Sequence, residues 1–174
     1  MAGIVTLLLK DHQAMKELMV ALKEAKQNRT RFSIFKKLEK LVHSHMIAEE
    51  KALLNHIKDN PKLEDEAVEG IEEHEIHRVV ISSIHRVKDP DRRYVRMKSF
   101  CEILEHHLRE EEEELFPKYK MNTAKKTRQK VGRAFLKSRK KSNRNSEDLG
   151  ALELVTSQAD AFDNSIQDGS EKSA

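Results

Sequence analysis

Tryptophan is absent from the 174 residues, cysteine occurs once, and only 3 prolines and 5 glycines interrupt the chain. The lone Cys101 cannot close an internal disulfide, which suits a reducing, cytoplasmic setting. Aromatics are 5% of the chain, too few for a large aromatic core. No run approaches the ~18 apolar residues that a membrane span needs. The early stretch GIVTLLL is short and lacks a basic flank and an A-x-A cleavage site, so it does not read as a signal peptide. What is abundant is Glu, Lys, Leu and Arg, and with so little Gly and Pro that composition points to helix.

Charge is unevenly spread. Residues 1–117 hold 20 Lys/Arg and 23 Asp/Glu. Residues 118–144 hold twelve Lys/Arg and no acid, and residues 145–174 hold seven acids and one Lys. A mildly acidic domain over residues 1–119 is therefore expected. A basic extension over 120–144, helical or disordered, should follow, and then an acidic disordered tail over 145–174.

Breakers divide the first 117 residues into four long segments. The first runs from about Ile4 to Lys26, and Thr30 then offers an N-cap for a segment from Arg31 to Asp59. Asn60 and Pro61 suit the cap and first position of a third, from Lys62 to Val87. Asp89 and Pro90 repeat the device before a fourth, from Asp91 to Phe116, which Pro117 should stop. Each segment carries an apolar seam with steps of three and four. The expected fold is all-α, an up-down-up-down antiparallel four-helix bundle with a basic C-terminal extension.

The seams are not wholly apolar. They read Leu8-His12-Met15-Met19-Leu22, Leu38-Val42-His45-Glu49-Leu53, Ile71-His74-His77-Ile81-Ile84 and Met97-Cys101-Leu104-His107-Glu111-Leu115. Buried imidazoles and carboxylates without partners are costly. At ~1.5 Å rise per residue, His12, His45, His74 and His107 fall within one or two turns of a common level. The halves also repeat: His12 to His45 and His74 to His107 are each 33 residues, the offset between halves is 62, and acids (Asp11, Glu73) precede the first histidines. Both halves end in H-x-x-x-E-E-x-x-L. Residues i and i+4 share a helix face, so His45/Glu49 and His107/Glu111 can hold a single metal or span a pair.

Six inward donors exceed the four of a structural zinc site. Imidazole and carboxylate without thiolate suit iron, manganese or zinc, and two facing halves favour a two-ion iron or manganese centre. Its place inside a bundle admits only small molecules such as dioxygen, peroxide or nitric oxide. Glu50 and Glu112 sit one step off the inward line and read as supporting or surface groups. Glu110, Glu113 and Glu114 read as solvated, and His43 and His106 should face water. Cys101 reads as a small buried hydrophobe.

The stretches KDHQAMKEL, HSHMIAEEKAL, EEHEIH and HHLREEEEELFP resemble the hemerythrin-like, HHE cation-binding family over about residues 4–119. That resemblance implies a non-haem centre, usually two irons bridged by carboxylates and an oxo or hydroxo group, with manganese or a single iron as variants. It places the metal ligands at His12, His45, Glu49, His74, His107 and Glu111, with His77, Glu50 and Glu112 as additional candidates. Oxygen-carrying members have a histidine four residues after the third-helix histidine, where this chain has Arg78; His77 sits at three. They also use an Asp where this chain has Glu112. The expected function is binding or sensing dioxygen or a related oxidant, without established catalysis. The alternatives are an enzyme handling peroxide, nitric oxide or iron, and a zinc or metal-free adaptor. The basic extension could meet an anionic partner.

Overall fold

The computed structural model describes residues 2–142, and all its regular elements are helices. Helix α1 (Ile4–Glu24) is followed by α2 (Asn28–Glu49), which runs through a π-helical turn (Glu50–Leu54) into the short α3 (Asn55–Ile57). Next come α4 (Glu64–Arg86) and α5 (Pro90–Glu110), and α5 passes through a second π-helical turn (Glu111–Leu115) into α6 (Phe116–Asn122). The last described helix, α7, covers residues 125–142. Residues up to Arg139 form one compact unit, and Lys140 opens a second of which three residues are described. The expected acidic tail, residues 145–174, lies outside the described residues. No described helix is long and apolar enough to cross a membrane.

Some sequence punctuation acts as expected. The Asp89 carboxylate accepts from the Arg92 backbone N–H at 2.7 Å, and Pro90 opens α5. This cap satisfies one of the donors that every helix start leaves free. Other expectations are corrected. Helix α2 begins at Asn28, so Thr30 lies inside it and is not a cap. Asn60 accepts from Lys62 N–H, but this closes a turn, and α4 starts later, at Glu64 behind Leu63. Pro117 does not stop the fourth segment. It falls at the start of α6, directly after the π-helical turn, where a missing N–H costs little. Of the two states open to the basic stretch, helical or disordered, the structure has a helix over residues 125–142, with Val131 and Phe135 buried.

Helix α1 packs on α2 and α5, α4 packs on α5, and α2 also meets α5. The apolar interior falls into two clusters. One gathers Leu8, Ala48, Leu53, Ala67, Leu115, Phe116 and Phe135; the other gathers Met15, Val42, Ile81, Cys101 and Leu104. Along α1 and α4 the chain passes from the first cluster to the second, and along α2 and α5 it returns. Between the clusters, on every one of these helices, lie the seam histidines and glutamates. The core is thus two apolar blocks separated by a polar layer. All the expected seam residues are buried except Ile71, which is half-buried. Cys101 is buried, and that burial pushes its thiol up to about 11, as befits a packing residue.

Candidate metal centre

His12, Glu49 and His74 are 0% exposed, His45 and His77 1%, His107 2% and Glu111 4%. Each of the four seam histidines expected at one level has one ring nitrogen tied to a carboxylate. His12 Nδ1 lies 2.9 Å from Glu112, His74 Nδ1 2.9 Å from Glu50, His107 Nδ1 2.6 Å from Glu73, and His45 Nδ1 3.4 Å from Asp11. A carboxylate on Nδ1 fixes the ring's tautomer and orientation and leaves Nε2 as the free donor. Three of these carboxylates are themselves held by cations: Glu112 by Lys16, Glu50 by Arg78 and Asp11 by Arg139.

The pairs obey the sequence repeat. Adding 62 turns Asp11–His45 into Glu73–His107, and Lys16, which holds Glu112, into Arg78, which holds Glu50. The π-helical turns follow Glu49 and begin at Glu111. Such a turn inserts a residue into the helical phase and often marks a functional site. Beside it, adjacent glutamates divide their work: Glu49 and Glu111 are buried, while Glu50 and Glu112 reach the imidazoles of other helices.

Glu111 Oε2 stands 3.2 Å from His12 Nε2, and Oε1 stands 3.6 Å from His107 Nε2. Glu49 Oε2 stands 3.1 Å from His45 Nε2 and 3.8 Å from His74 Nε2. Each carboxylate therefore spans imidazoles from two helices. Donor atoms of His12, His45 and Glu111 lie within 4.8 Å of one another, and so do those of His74, His107 and Glu111. His77 lies beside the second group, its ring centroid 5.1 Å from that of His107. Phe116 stacks at 5.5 Å on His12, Phe135 meets His45 edge-on at 6.1 Å, and Phe100 meets His77 at 5.8 Å.

Among the described residues, eleven buried side-chain nitrogens and oxygens have no hydrogen-bond partner. Ten belong to this layer: Nε2 of the four histidines, both nitrogens of His77 and all four oxygens of Glu49 and Glu111. At about 1–3 kcal/mol per unsatisfied buried group, that would rival a domain's whole stability of about 5–15 kcal/mol. The Nε2–carboxylate approaches lack hydrogen-bond alignment and attract only where the imidazoles carry protons. Burial opposes charge on His45, yet Glu49, Asp11 and Glu111 outweigh it and push the ring up to about 10. His107 also rises, burial being overcome by Glu111 and Glu73. Burial likewise opposes charge on Glu111, but His107, His12 and His45 hold its carboxyl well below the usual range. His77 goes the other way, to about 3, through burial and the neighbouring His107 and His74. A cation would supply the missing partner for the four Nε2 atoms and the Glu49 and Glu111 carboxylates, so the donor set fits one.

The structure corrects one sequence reading: Glu110 is half-buried beside Glu73 and His106 rather than solvated. Sequence reasoning missed the roles of Lys16, Arg78, Arg139 and Phe135. The 62-residue offset relates the first two, but Arg139 has no counterpart in the repeat.

A protein whose described elements are all helices, with a buried imidazole–carboxylate layer whose rings are oriented by further carboxylates, is a metal-binding helical bundle in kind. The chain matches the hemerythrin HHE cation binding domain over residues 3–126 and belongs to that family. No curated protein and no solved structure matches it.

Proposed function

We propose that the chain is a non-haem di-iron protein that binds or senses dioxygen or a related small oxidant. The bundle is an up-down-up-down arrangement of four long helical segments. His12 and His45 hold one cation, His74 and His107 the other, and Glu49 and Glu111 link the two. His77 is a further ligand on the second side. Glu50 and Glu112, with Asp11 and Glu73, orient the imidazoles. The single observation that carries this reading is the set of ten orphaned donor atoms in one buried layer. Two halves, each with two imidazoles and one carboxylate, match two ions better than one, and donors without thiolate suit iron.

When bound, two irons supply electrons to a small oxidant. The chain's own residues do the rest. The layer lies between two apolar clusters, which shield it at both ends and keep large molecules away. The position equivalent to His77 in the other half is Met15, which is buried. A cation held at His12 and His45 would have one imidazole fewer than one held at His74, His107 and His77, and Phe116 and Phe135 lie against the His12 and His45 rings. A small, weakly polar molecule suits that side.

An absorption spectrum of iron-loaded, reduced protein tests the reading. Bands that form on exposure to oxygen and vanish on its removal support a binder. Steady consumption of peroxide or nitric oxide would instead make the protein an enzyme built on the same donors. A colourless protein that carries zinc would favour the adaptor.

A further inference from the structure

The two halves agree residue by residue inside the layer but differ at its outer edge. On the α1/α2 side, Ile4, Leu7, Ala48 and Ala52 pack into the first apolar cluster, and Val131 and Phe135 of α7 join them there. Sixty-two residues on, the same positions are Glu66, Glu69, Glu110 and Glu114. Glu69 and Glu114 are exposed there, and Glu66 and Glu110 half-buried. They line a cavity of about 260 Å³ between α4 and α5, with Glu73 and Glu111 in its wall. Leu8, the counterpart of Gly70, is fully buried on the covered side; on the open side Gly70 presents no side chain to the cavity.

Six carboxylates around one cavity repel one another unless a cation joins them. Lys118 pairs with Glu66 at one edge. Deeper in, Glu111 is buried with both oxygens lacking a hydrogen-bond partner, and it belongs at once to the cavity wall and to both donor groups of the centre. Two residues of the wall, Glu73 and Glu110, form with the exposed His106 a group whose donor atoms are within 4.8 Å of one another. At about 30 Å³ per water, a divalent cation with six waters needs roughly 180 Å³, so it fits the cavity without shedding its shell. Acid-lined clefts concentrate cations and raise their arrival rates.

We propose that this cavity is the entrance through which a divalent cation reaches the centre, with Glu73, His106 and Glu110 as its staging point and Glu111 as the inner receiver. The entrance rests on the metal-centre reading above. Arg139 and Phe135 close the equivalent opening on the other half, which leaves the acidic side for passage.

The test uses the full chain, freed of metal, mixed with ferrous iron without oxygen. Uptake is followed by stopped flow, and the amount held at the end by elemental analysis. A Glu69→Gln/Glu114→Gln variant removes two exposed charges that take no part in the four carboxylate–imidazole pairs. It should load ~10-fold more slowly, in line with the lost attraction, and reach the same final content. A Glu24→Gln/Glu102→Gln variant, with the same change in net charge placed elsewhere, should load at the wild-type rate. Equal rates for all three proteins would overturn the entrance and leave the centre standing. Wild-type protein that takes up no cation would contradict the centre and the entrance together.

Discussion

Arg139 in α7 donates to the carboxylate of Asp11, 128 residues earlier, and Asp11 in turn holds His45 Nδ1. A residue of the basic extension thus reaches, through one carboxylate, an imidazole of the centre. Asp11 is 2% exposed, so without Arg139 its charge would be buried and poorly matched. Arg139→Met should weaken the hold on one of two cations by about 10–100-fold, the usual effect of losing a group that orients a metal-binding histidine. Chelator competition measures it, and an unchanged affinity would contradict the coupling.

The seat of α7 on the core is tight at one glycine. A Cβ at Gly132 would meet the Ala2 carbonyl and the Ile4 amide at 3.1 Å, both backbone atoms that cannot swing aside. Gly132→Ala should lift α7 and cost about 1–3 kcal/mol, as overpacking does. A lowered Tm is the readout; an unchanged Tm would mean that the helix adjusts freely.

The two adjacent glutamates of each motif should separate by phenotype. Glu111 offers donors to both groups, so Glu111→Ala should lose half or more of the bound iron, and Glu49→Ala should do the same. Glu50→Gln and Glu112→Gln keep the inward donors and should retain iron with affinity reduced by about 10–100-fold. Elemental analysis after gel filtration distinguishes the classes. Full retention of iron in Glu111→Ala would remove the linking role.

Met15 and His77 occupy equivalent places, and they should set where a small oxidant binds. Met15→His supplies the missing imidazole to the His12/His45 side. Iron content should stay the same while the spectral response to oxygen falls by about tenfold or more. That factor corresponds to about 1.4 kcal/mol of lost binding. An unchanged response would place the oxidant elsewhere.

Without metal, the stability of the protein should peak near pH 6.5. His45 is raised from 6.5 to about 10, so its contribution is complete below 6.5 and disappears as the pH rises through about 10. His77 is lowered from 6.5 to about 3, so the unfolded chain takes up its proton first and stability falls as the pH drops from 6.5 towards 3. A denaturant midpoint measured across pH should therefore decline on both sides. Because His45 holds a proton that a cation must displace, loading should release protons and tighten as pH rises. Loading with no proton release would contradict the proton-bearing state of the ring.

Much of the inner site was legible in the sequence because helix periodicity is regular. His12, His45, Glu49, His74, His107 and Glu111 each sit on an apolar seam, and polar groups there demand a partner. The helix ends were less legible. Pro117 looks like a stop, and nothing local reveals the π-helical turn that absorbs it. Glu112 and Glu50 could be placed only as off-line groups, since their targets, His12 and His74, lie on other helices. The packing of α7 was hidden for another reason: a stretch of twelve basic residues without an acid masks the inward Val131 and Phe135.

The central claim is that a buried layer of imidazoles and carboxylates is completed by two cations. The most direct measurement is the number of metal ions per chain in protein loaded with ferrous iron and cleared of excess, alongside a His12→Ala/His74→Ala variant. Two irons per chain, falling below one in the variant, is the predicted result. A wild-type chain that folds fully and holds none would contradict it.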